Sequence, residues 1–431
     1  MQPSPVALPE MLDARERRAA LQRALLERYR LPLVCLSMNI PGAIKRTPCI
    51  RLLFDEGLRR FDALGFPLRR RLVLDAATGC EAFLAVHADA GALKAAAVRL
   101  EEGFPAARLL DFDVLPPGGE KLSRGEPRRC LLCDRPAAEC ARSRNHGLAA
   151  LIQKTQALLH DFAAALLAQD ARDALLSELY ATPKPGLVDG NNSGAHDDMD
   201  LPLFEASAEA LLPYFRQAVL HGLSRGGMAA LRRAGRAAEE AMFAATRGVN
   251  THKGMVYSMG LLLSGMGRAL AEGGDAVAHA AALAREDAEA MLLRARSAPD
   301  TNGARVLAAY GARGAQGEAA AGFPHALLAL ERISFYRAQN AGNPAALALC
   351  DLMAVVEDTN LLHRGGPAGL AFAQAAAARI GRLPMEEREA ALLALDGEMI
   401  ARRLSPGGSA DLLALGLLLG AWAERSGPLL D

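Results

Sequence analysis

The sequence lacks an excess of charge of either sign. Its 431 residues contain 49 lysines and arginines against 49 aspartates and glutamates, which gives a formal net charge of zero. A general nucleic-acid-binding protein needs a surplus of cations to neutralise phosphates. The even balance therefore argues against nucleic acid as a partner, while it leaves room for local basic pockets.

Long apolar runs are also missing. A helix needs roughly 20 apolar residues to cross a bilayer, and the longest candidate run, residues 255–266, is short and interrupted by Ser and Gly. The N-terminal region has acidic residues where a signal peptide would have a basic region and an apolar core. We therefore expect a cytoplasmic protein without membrane contact.

Cysteines are few, and their number, seven, is odd. A disulfide scaffold is therefore excluded in a chain of this size. Four potential zinc ligands nevertheless lie close together in the sequence: Cys130, Cys133, Cys140 and His146. The first two have the C-x₂-C spacing of zinc sites, but the later spacings are not those of a standard zinc finger. Zinc binding and reduced thiols in a compact loop both remain open.

A chain of this length predicts two domains. No flexible linker separates them, and the change in pattern places the boundary near residue 150, with domains 1–150 and 151–431. The first domain alternates strands and helices, which indicates an α/β or α+β fold of nucleotidyltransferase type. Its predicted strands are 33–38, 71–74, 81–86 and 108–115, and its helices are 13–30, 49–64 and 90–102.

The second domain is predicted to be all-α, because apolar residues recur three and four positions apart and strand patterns vanish. Its predicted helices are 148–179, 205–220, 228–245, 255–271, 276–296 and 345–362.

Polar residues in the second domain concentrate in five loop-to-helix junctions. In the first, 178–189, two prolines hold Lys184 in a restrained backbone that suits phosphate binding; a helix stop with a solvated lysine is the alternative. The second, 191–200, contains His196 and three aspartates, Asp197, Asp198 and Asp200. So many acids predict Mg²⁺ bound to a nucleotide, whereas the alternative is an acidic helix cap.

The third junction, 247–254, places glycines and polar donors at a helix N-terminus, where free amide groups attract anions. His252 and Lys253 would add positive charge there. No G-x-x-x-x-G-K-[ST] motif occurs anywhere in the chain. The fourth junction, 310–324, contains Arg313, Glu318 and several glycines that permit close backbone approach to a ligand, although a flexible surface loop would look similar.

The fifth junction, 351–366, ends an otherwise apolar helix with charged residues. Asp351 and Asp358 are seven positions apart and would share one face of the predicted helix 345–362. Together the five junctions predict a helical pocket that is rich in carboxylates, cations and glycine turns.

These junctions contain five ordered motifs that resemble the triphosphoribosyl-dephospho-coenzyme A synthase family across most of residues 170–370. The motifs are ELYATPKPGLVD, NSGAHDDMD, GVNTHKG, YGARGAQGEAAAGFP and EDTNLLHRGG. The resemblance implies that ATP reacts with 3′-dephospho-coenzyme A, that adenine is released, and that the triphosphate stays on the transferred ribose.

That reaction passes through a transition state with oxocarbenium character, which carboxylates stabilise. The resemblance implies metal binding by Asp197, Asp198, Asp200 and Asp358, with Glu357 or Glu318 as the base. Asp198, Asp200, Asp358 and His252 are candidate catalytic residues. The candidates for substrate binding, including the triphosphate, are Lys184, Lys253, Arg364, Asn250, Thr251, Arg313 and Asn360.

In the first domain, Asp111 and Asp113 lie in a predicted strand and therefore point to the same side. Two such acids can hold Mg²⁺ on a polyphosphate, although a surface strand would also contain a D-x-D. A glycine turn precedes Lys45 and Arg46, which fits either phosphate binding or a basic surface loop.

Segments IPGAIKRTP, RLLDFDV, SRGEPRRCLLC and ECARSRNH resemble the holo-citrate lyase synthase family, also described as apo-citrate lyase phosphoribosyl-dephospho-coenzyme A transferase, over residues 30–146. The resemblance implies transfer of the prosthetic group to a serine of the apo citrate lyase acyl carrier protein (gamma subunit), with release of pyrophosphate. Mg²⁺ would be bound by Asp111 and Asp113, and the triphosphate by Lys45, Arg46, Arg124 and Arg129.

The two implied activities are consecutive, because the first domain would consume the product of the second. Three alternatives remain. The same chemistry would also serve malonate decarboxylase, which uses a related prosthetic group. A non-catalytic, zinc-stabilised interaction protein is a different class, but it would have scattered rather than clustered polar residues. In the third alternative, one half binds substrate without catalysing a reaction.

Overall fold

The fold was analysed in a computed structural model that describes residues 4–286 and 302–430. The chain forms two compact units. Unit 1 comprises the described residues up to Ala163 and from Arg425 onward, and unit 2 runs from Ala164 to Glu424. The division falls inside a long helix, since no linker separates the two parts of the sequence.

Unit 1 is built on one four-stranded sheet with helices around it. All strand pairs are antiparallel, in the order β2-β3-β1-β4, an arrangement typical of α+β domains. A short 3₁₀ turn, Pro105–Leu109, leads into the last strand. The elements are α1 (Leu8–Tyr29), β1 (Leu33–Met38), α2 (Pro48–Asp62), β2 (Leu68–Ala76), β3 (Gly79–Val86), α3 (Ala90–Glu102), β4 (Leu110–Leu115) and α4 (Ala137–Ser143).

Strand β4 lies at an edge of the sheet and alternates between apolar and acidic side chains. Phe112 is buried and stacks on Phe61 of α2 at 6.1 Å, so Asp111 and Asp113 project from the opposite face. Helix α3 covers the open edge. Glu101 accepts a hydrogen bond from the Phe112 amide (2.7 Å), and Lys94 donates to its carbonyl (3.1 Å). These contacts hold the strand that carries the two aspartates.

The regular elements that the structure describes in unit 2 are all helices, as the sequence predicts. Helix α5 begins in unit 1 and ends in unit 2. The helices are α5 (Leu148–Tyr180), α6 (Leu201–Leu223), α7 (Met228–Ala245), α8 (Lys253–Glu272), α9 (Ala276–Arg285), α10 (Asn302–Tyr310), α11 (Gly314–Ala321), α12 (Pro324–Ala338), α13 (Pro344–Val355), α14 (Thr359–Ile380), α15 (Met385–Ala401) and α16 (Gly407–Leu430).

Helix α8 is the central helix of unit 2 and is buried over almost its whole length. It packs closely on α6, because Gly222 of α6 lies against the backbone of Ser264 and Gly267 of α8 lies against that of Val219. A Cβ at either glycine would overlap the neighbouring carbonyl oxygen. This close packing fixes α8 against α6, and the third junction lies at the N-terminus of α8.

The predicted helix 345–362 is wrong. The structure has two helices there, because α13 ends at Val355 and α14 begins at Thr359. Asp358 adopts an extended backbone conformation and caps α14, a position that favours Asp because its side chain accepts from free amides. Asp351 therefore shares no helix face with Asp358, and instead accepts a hydrogen bond from the Tyr336 hydroxyl at 2.8 Å.

Other predicted elements agree closely with the structure. Strand 33–38 and helices 90–102 and 228–245 have the predicted bounds. The predicted helix 276–296 agrees as far as Arg285, Glu286 is its C-cap, and residues 287–296 lie outside the described residues. None of the described helices is both long enough and apolar enough to cross a membrane.

Candidate functional site

Four separate segments of unit 2 meet at one group of buried or half-buried polar side chains. We call this group the charged cluster; its members are Glu178, Lys184, His252, Asp358 and Asp411. Glu178 lies at the end of α5, His252 just before α8, Asp358 just before α14, and Asp411 near the start of α16. The cluster thus joins the first, third and fifth junctions to a segment that sequence reasoning did not select.

A buried ion pair lies at the centre of the cluster. The Lys184 ammonium is 2.6 Å from Glu178 Oε1, and the two residues are only 2 and 7 % exposed. The Lys184 amide donates to Asp189 at 2.8 Å, and the other oxygen of that carboxylate accepts from the amides of Asn191 and Asn192. Lys184, which lies between two prolines in a restrained backbone, therefore points inward to the Glu178 carboxylate.

Asp396 of α15 holds the same loop from the other side. One of its carboxylate oxygens accepts from the Gly186 amide and the other from the Asn192 side chain, both at 2.8 Å. Gly186 has a φ of 74° and lies directly against the Leu404 carbonyl, so only glycine fits there. Asp396 is buried, and the predicted site residues did not include it.

His252 is buried and uncharged. Burial, and then the positive charge of Lys184, lowers the pKa of His252 to about 3. Its Nδ1 lies 2.7 Å from the Ser207 hydroxyl, which also accepts a hydrogen bond from Thr251. The ring contacts Phe204 edge-on. The expectation that His252 adds positive charge is therefore wrong, because a buried imidazole beside an ammonium group stays neutral.

Asp358 uses both carboxylate oxygens for hydrogen bonds. Oδ1 accepts from the amides of Asn360 and Leu361, and Oδ2 accepts from the amide and hydroxyl of Ser409. Burial raises the pKa of this carboxyl, although the four hydrogen bonds oppose the rise. Asp358 thereby ties the start of α14 to the start of α16.

Asp411 differs from Asp358 because its carboxylate accepts no hydrogen bond from the described residues. Burial, and then the negative charges of Glu178 and Asp358, raises the pKa of Asp411 well above its usual range. A Cβ built on Gly254 would lie 2.9 Å from Asp411 Oδ2. The glycine that ends the third junction therefore permits close approach to this carboxylate.

The sequence around Asp411 contains a pattern that could have identified this residue. Residues 405–411 read Ser-Pro-Gly-Gly-Ser-Ala-Asp and span the start of α16. This is a sixth loop-to-helix junction of the same kind as the other five. The first amides of α16, at Gly407 and Gly408, have no carbonyl partner within the helix.

Arg364 and His196 form a second polar group beside Ser405. Arg364 donates to the Ala195 carbonyl and to His196 Nδ1, both at 3.0 Å, and His196 Nε2 lies 3.0 Å from the Ser405 hydroxyl. Because arginine only donates, Nδ1 must be the acceptor and Nε2 must carry the proton. Burial and the Arg364 charge lower the pKa of His196.

The three aspartates of the second junction lie outside the charged cluster. Asp197 and Asp198 are exposed, and Asp197 is 4.0 Å from Arg403. The charge of Asp198 acts on Arg364, where it opposes the lowering of the arginine pKa by burial. Asp200 caps α6 by accepting from the Leu203 amide at 3.0 Å.

Several other predicted residues also have partners or positions away from the cluster. The Lys253 ammonium is 3.4 Å from Glu239, and its amide donates to Asn250. Glu318 accepts from the first amides of α12 and pairs with His325 at 2.8 Å. The remaining candidates are two exposed residues, Arg313 and Glu357, and one half-buried residue whose side chain donates to the Ser405 carbonyl, Asn360.

In unit 1, both aspartates of β4 face cations. Asp113 is 2.5 Å from Lys121, and Asp111 is 2.9 Å from Arg128, which also contacts Glu101 at 2.6 Å. Burial raises the pKa of Asp113, and the charge of Asp111 adds to the rise while Lys121 opposes it. Two carboxylates and two cations thus lie together on one side of the edge strand.

The other basic candidates of unit 1 have different partners. Lys45 donates to the Ile40 carbonyl, and Arg46 forms a bidentate ion pair with Asp75 of β2. Arg124 contacts Glu101 at 3.3 Å, and the exposed Arg129 is 3.8 Å from Asp134. Arg124 therefore joins the group around Asp111 and Asp113 through Glu101.

The four potential zinc ligands of unit 1 come together in the structure. One ligand atom from each of Cys130, Cys133, Cys140 and His146 lies within 4.8 Å of all the others.

Comparisons with known proteins match the two parts separately. Residues 6–162 match the family model described as CitX, apo-citrate lyase phosphoribosyl-dephospho-CoA transferase, and residues 164–428 match CitG, ATP:dephospho-CoA triphosphoribosyl transferase.

Individual relatives match one or both parts. "Protein CitXG" of Haemophilus influenzae is 36% identical over 96% of this chain and 95% of its own length, and that of Leuconostoc mesenteroides is 32% identical over 96% of both. A probable 2-(5''-triphosphoribosyl)-3'-dephosphocoenzyme-A synthase of Vibrio cholerae is 43% identical over 57% of this chain and 84% of its own.

Proposed function

This chain belongs to the family of CitXG proteins, in which a CitX part precedes a CitG part, and we propose that its two units catalyse consecutive steps. Unit 2 joins ATP to 3′-dephospho-coenzyme A and releases adenine. Unit 1 transfers the resulting phosphoribosyl-dephospho-coenzyme A group to a serine of the apo citrate lyase acyl carrier protein. The full-length match to proteins with both parts supports this order, and the charged cluster supports unit 2 as a catalytic centre.

The reaction in unit 2 exchanges one bond at the anomeric carbon of ATP for another. The bond to adenine breaks, and the 2′-hydroxyl oxygen of dephospho-coenzyme A forms the new bond while its proton departs. Adenine leaves with a proton, and the ribose becomes positively charged in the transition state. A catalyst therefore needs negative charge near the ribose and a group that transfers protons near neutral pH.

The charged cluster has both properties. It contains three carboxylates, Glu178, Asp358 and Asp411, but only one cation, Lys184, because His252 is neutral. The surplus negative charge stabilises a cationic ribose. Asp411 is the proton-transfer group, since its carboxylate has no hydrogen-bond partner among the described residues and its pKa is raised well above its usual range.

The triphosphate lies next to the cluster, at the start of α16. Arg364 and the free amides of Gly407 and Gly408 donate to its oxygens. Exposed carboxylates are hard oxygen donors of the type that Mg²⁺ prefers, so Asp197 and Asp198 fit this ion. When bound, Mg²⁺ neutralises part of the triphosphate charge.

Four of the expected residues act as supports rather than at the reacting atoms. Asp358 has no oxygen left for a metal or a proton, because four hydrogen bonds use its lone pairs. Asp200 and Glu318 cap helices, and Lys253 pairs with Glu239. Asp358 thereby fixes the start of the helix that carries Asp411, Lys253 fixes the third junction, and Asp200 and Glu318 fix the starts of α6 and α12.

In unit 1 the carrier serine attacks the phosphate that is attached to the ribose, and pyrophosphate leaves. Asp111 and Asp113 project together from β4 and fit Mg²⁺ as paired oxygen donors. Lys121, Arg124 and Arg128 lie beside them and neutralise the leaving pyrophosphate. The nucleophile belongs to the partner, so these residues catalyse by positioning and charge neutralisation.

Mass spectrometry of a single reaction mixture tests both activities. The purified protein is incubated with ATP, Mg²⁺, 3′-dephospho-coenzyme A and the apo citrate lyase carrier protein. We expect a carrier mass increase equal to one phosphoribosyl-dephospho-coenzyme A group, together with free adenine and pyrophosphate.

The two failures of this experiment have different meanings. Adenine release without carrier modification would retain the proposal for unit 2 and refute the carrier, and the apo carrier of malonate decarboxylase would then be tried. Absence of adenine would refute the central proposal.

A further inference from the structure

We propose that unit 1 binds one structural zinc ion through Cys130, Cys133, Cys140 and His146. The ion holds residues 116–147, here called the basic segment, beside Asp111 and Asp113. The binding site itself is independent of the function proposed for unit 1, whereas the consequence for carrier modification rests on that function.

The positions of the ligand atoms match a tetrahedral zinc site. Zn–S bonds of about 2.3 Å and Zn–N bonds of about 2.0 Å place ligand atoms about 3.5–3.8 Å apart in a tetrahedron. Cys133 Sγ and Cys140 Sγ are 3.5 Å apart, and His146 Nε2 is 3.2 Å from Cys133 Sγ. All four ligand atoms lie within 4.8 Å of one another. A disulfide would instead require sulfur atoms about 2 Å apart.

The backbone around the ligands has the form of a metal-binding turn. A short two-stranded segment brings Arg129 opposite Pro136, closed by hydrogen bonds from the Cys130 amide to the Arg135 carbonyl and from the Ala137 amide to the Arg128 carbonyl. The Leu132 amide lies 3.5 Å from Cys130 Sγ. Such outer hydrogen bonds orient ligands around a metal. Helix α4 then presents Cys140 to this turn.

The basic segment has almost no apolar core of its own. Cys130 and Cys140, which are 6 and 7 % exposed, are its only buried residues, and its only helix is the seven-residue α4. A segment of this kind cannot offset its loss of chain entropy by apolar burial. Small folding units without a sufficient core are commonly held by disulfides or by a structural metal. Reduced thiolates with an imidazole favour zinc.

The same segment supplies the cations next to the aspartates of β4. Lys121 contacts Asp113, and Arg128 contacts both Asp111 and Glu101. Arg108, which precedes β4, donates to the carbonyls of Arg129 and Cys130, each at 2.9 Å. The chain that carries Arg128 thus leads directly into the first zinc ligand, so loss of the ion releases these cations from the aspartates.

Metal analysis of the full chain tests the site directly. Protein purified without chelators should contain about one zinc ion per chain by elemental analysis and native mass spectrometry. Cobalt(II) exchanged into the site should give the absorption bands of tetrahedral thiolate coordination. Cys133→Ser should lose the zinc, while Cys49→Ser, which changes a buried cysteine of α2 outside the cluster, should retain it.

Removal of zinc from the wild-type protein provides a test that does not depend on folding of a variant. A chelator that binds Zn²⁺ far more tightly than Mg²⁺, used with Mg²⁺ in excess, should increase amide hydrogen exchange in residues 116–147 and lower carrier modification about 10- to 100-fold. Adenine release should stay unchanged, and added zinc should restore both properties.

Three outcomes would overturn parts of the proposal. Wild-type protein with neither zinc nor a tetrahedral cobalt spectrum would refute the site, and full zinc content in Cys133→Ser would refute the ligand set. Zinc removal without an effect on carrier modification would refute the positioning role. If the wild-type protein modifies no carrier at all, the function proposed for unit 1 fails, while zinc content and hydrogen exchange still decide the site.

Discussion

At the scale of single residues, neighbouring carboxylates of unit 2 differ because their surroundings differ. Asp358 and Asp411 lie at the starts of adjacent helices, yet Asp358 accepts four hydrogen bonds and Asp411 accepts none from the described residues. An acid without such bonds, near two other acids, is destabilised in its ionised form. If Asp411 transfers protons as proposed, function and stability oppose each other at this residue.

We predict that Asp411→Asn stabilises the protein at neutral pH. The pKa of Asp411 is raised in the folded state, whereas in the unfolded chain it lies near about 4. The wild-type protein therefore loses stability as pH rises from about 4 toward the folded-state pKa, and the Asn variant does not. Thermal unfolding between pH 4 and 8 should show a difference in Tm of a few degrees that widens with pH. A constant difference across this range would contradict the proposed environment of Asp411.

At the scale of elements, the loop 184–192 depends on a helix that is distant in the sequence. Both oxygens of Asp396 on α15 accept from this loop, at Gly186 and at Asn192. Asn192 cannot reverse its amide without cost, since its Oδ1 already accepts from the Gly194 amide at 2.6 Å. Asp396 therefore fixes the loop that carries Lys184, and it does so only if both of its carboxylate oxygens accept hydrogen bonds.

We predict that Asp396→Asn weakens the loop and raises the KM for ATP and dephospho-coenzyme A. The new side chain keeps one acceptor but places an NH₂ group against that of Asn192. Loss of this buried hydrogen bond should cost about 1–3 kcal/mol of unfolding free energy. Denaturation curves and steady-state adenine release measure the two effects. Glu398→Gln is the matched control, because Glu398 is exposed on the same helix; equal behaviour of the two variants would refute the role of Asp396.

At the scale of the whole molecule, each unit contains a separate group of carboxylates and cations. The group in unit 1 surrounds Asp111 and Asp113, and the group in unit 2 surrounds Lys184 and Asp411. If the two groups catalyse consecutive reactions, a substitution in one group should leave the other reaction intact.

We predict that Asp113→Asn abolishes carrier modification and leaves adenine release from ATP unchanged. Asp411→Asn should lower adenine release at least about 100-fold, the contribution typical of a positioned acid or base. This second variant should still modify the carrier when it is given the preformed triphosphoribosyl intermediate. Mass spectrometry of the carrier and chromatography of adenine measure the two steps.

The controls for this pair remove one charge from an exposed position in the same part of the chain. Glu27→Gln lies on α1 of unit 1, and Glu424→Gln lies on α16 together with Asp411. Loss of both activities in either active-site variant would mean that the two units are coupled or that the assignment is wrong.

The sequence by itself determined the features that depend on neighbouring residues. Helix 228–245 and strand 33–38 follow from local apolar periodicity and have the predicted bounds. The order of the motifs identified both families, because each motif is a short contiguous run. The four potential zinc ligands could also be selected from the sequence, since they occur within one short segment.

Only the tertiary structure decided which of these residues meet. Lys184 is buried against Glu178, whereas Lys253 forms an ion pair with Glu239. Asp411, on α16, lies in the charged cluster although it is far from the other members in the sequence. The sequence also did not reveal the break between α13 and α14, because apolar residues recur at helical spacing on both sides of it, while Asp358 acts as a cap. Local pattern encodes helix faces and loops, whereas burial, charge and pKa depend on packing between segments that are far apart in the sequence.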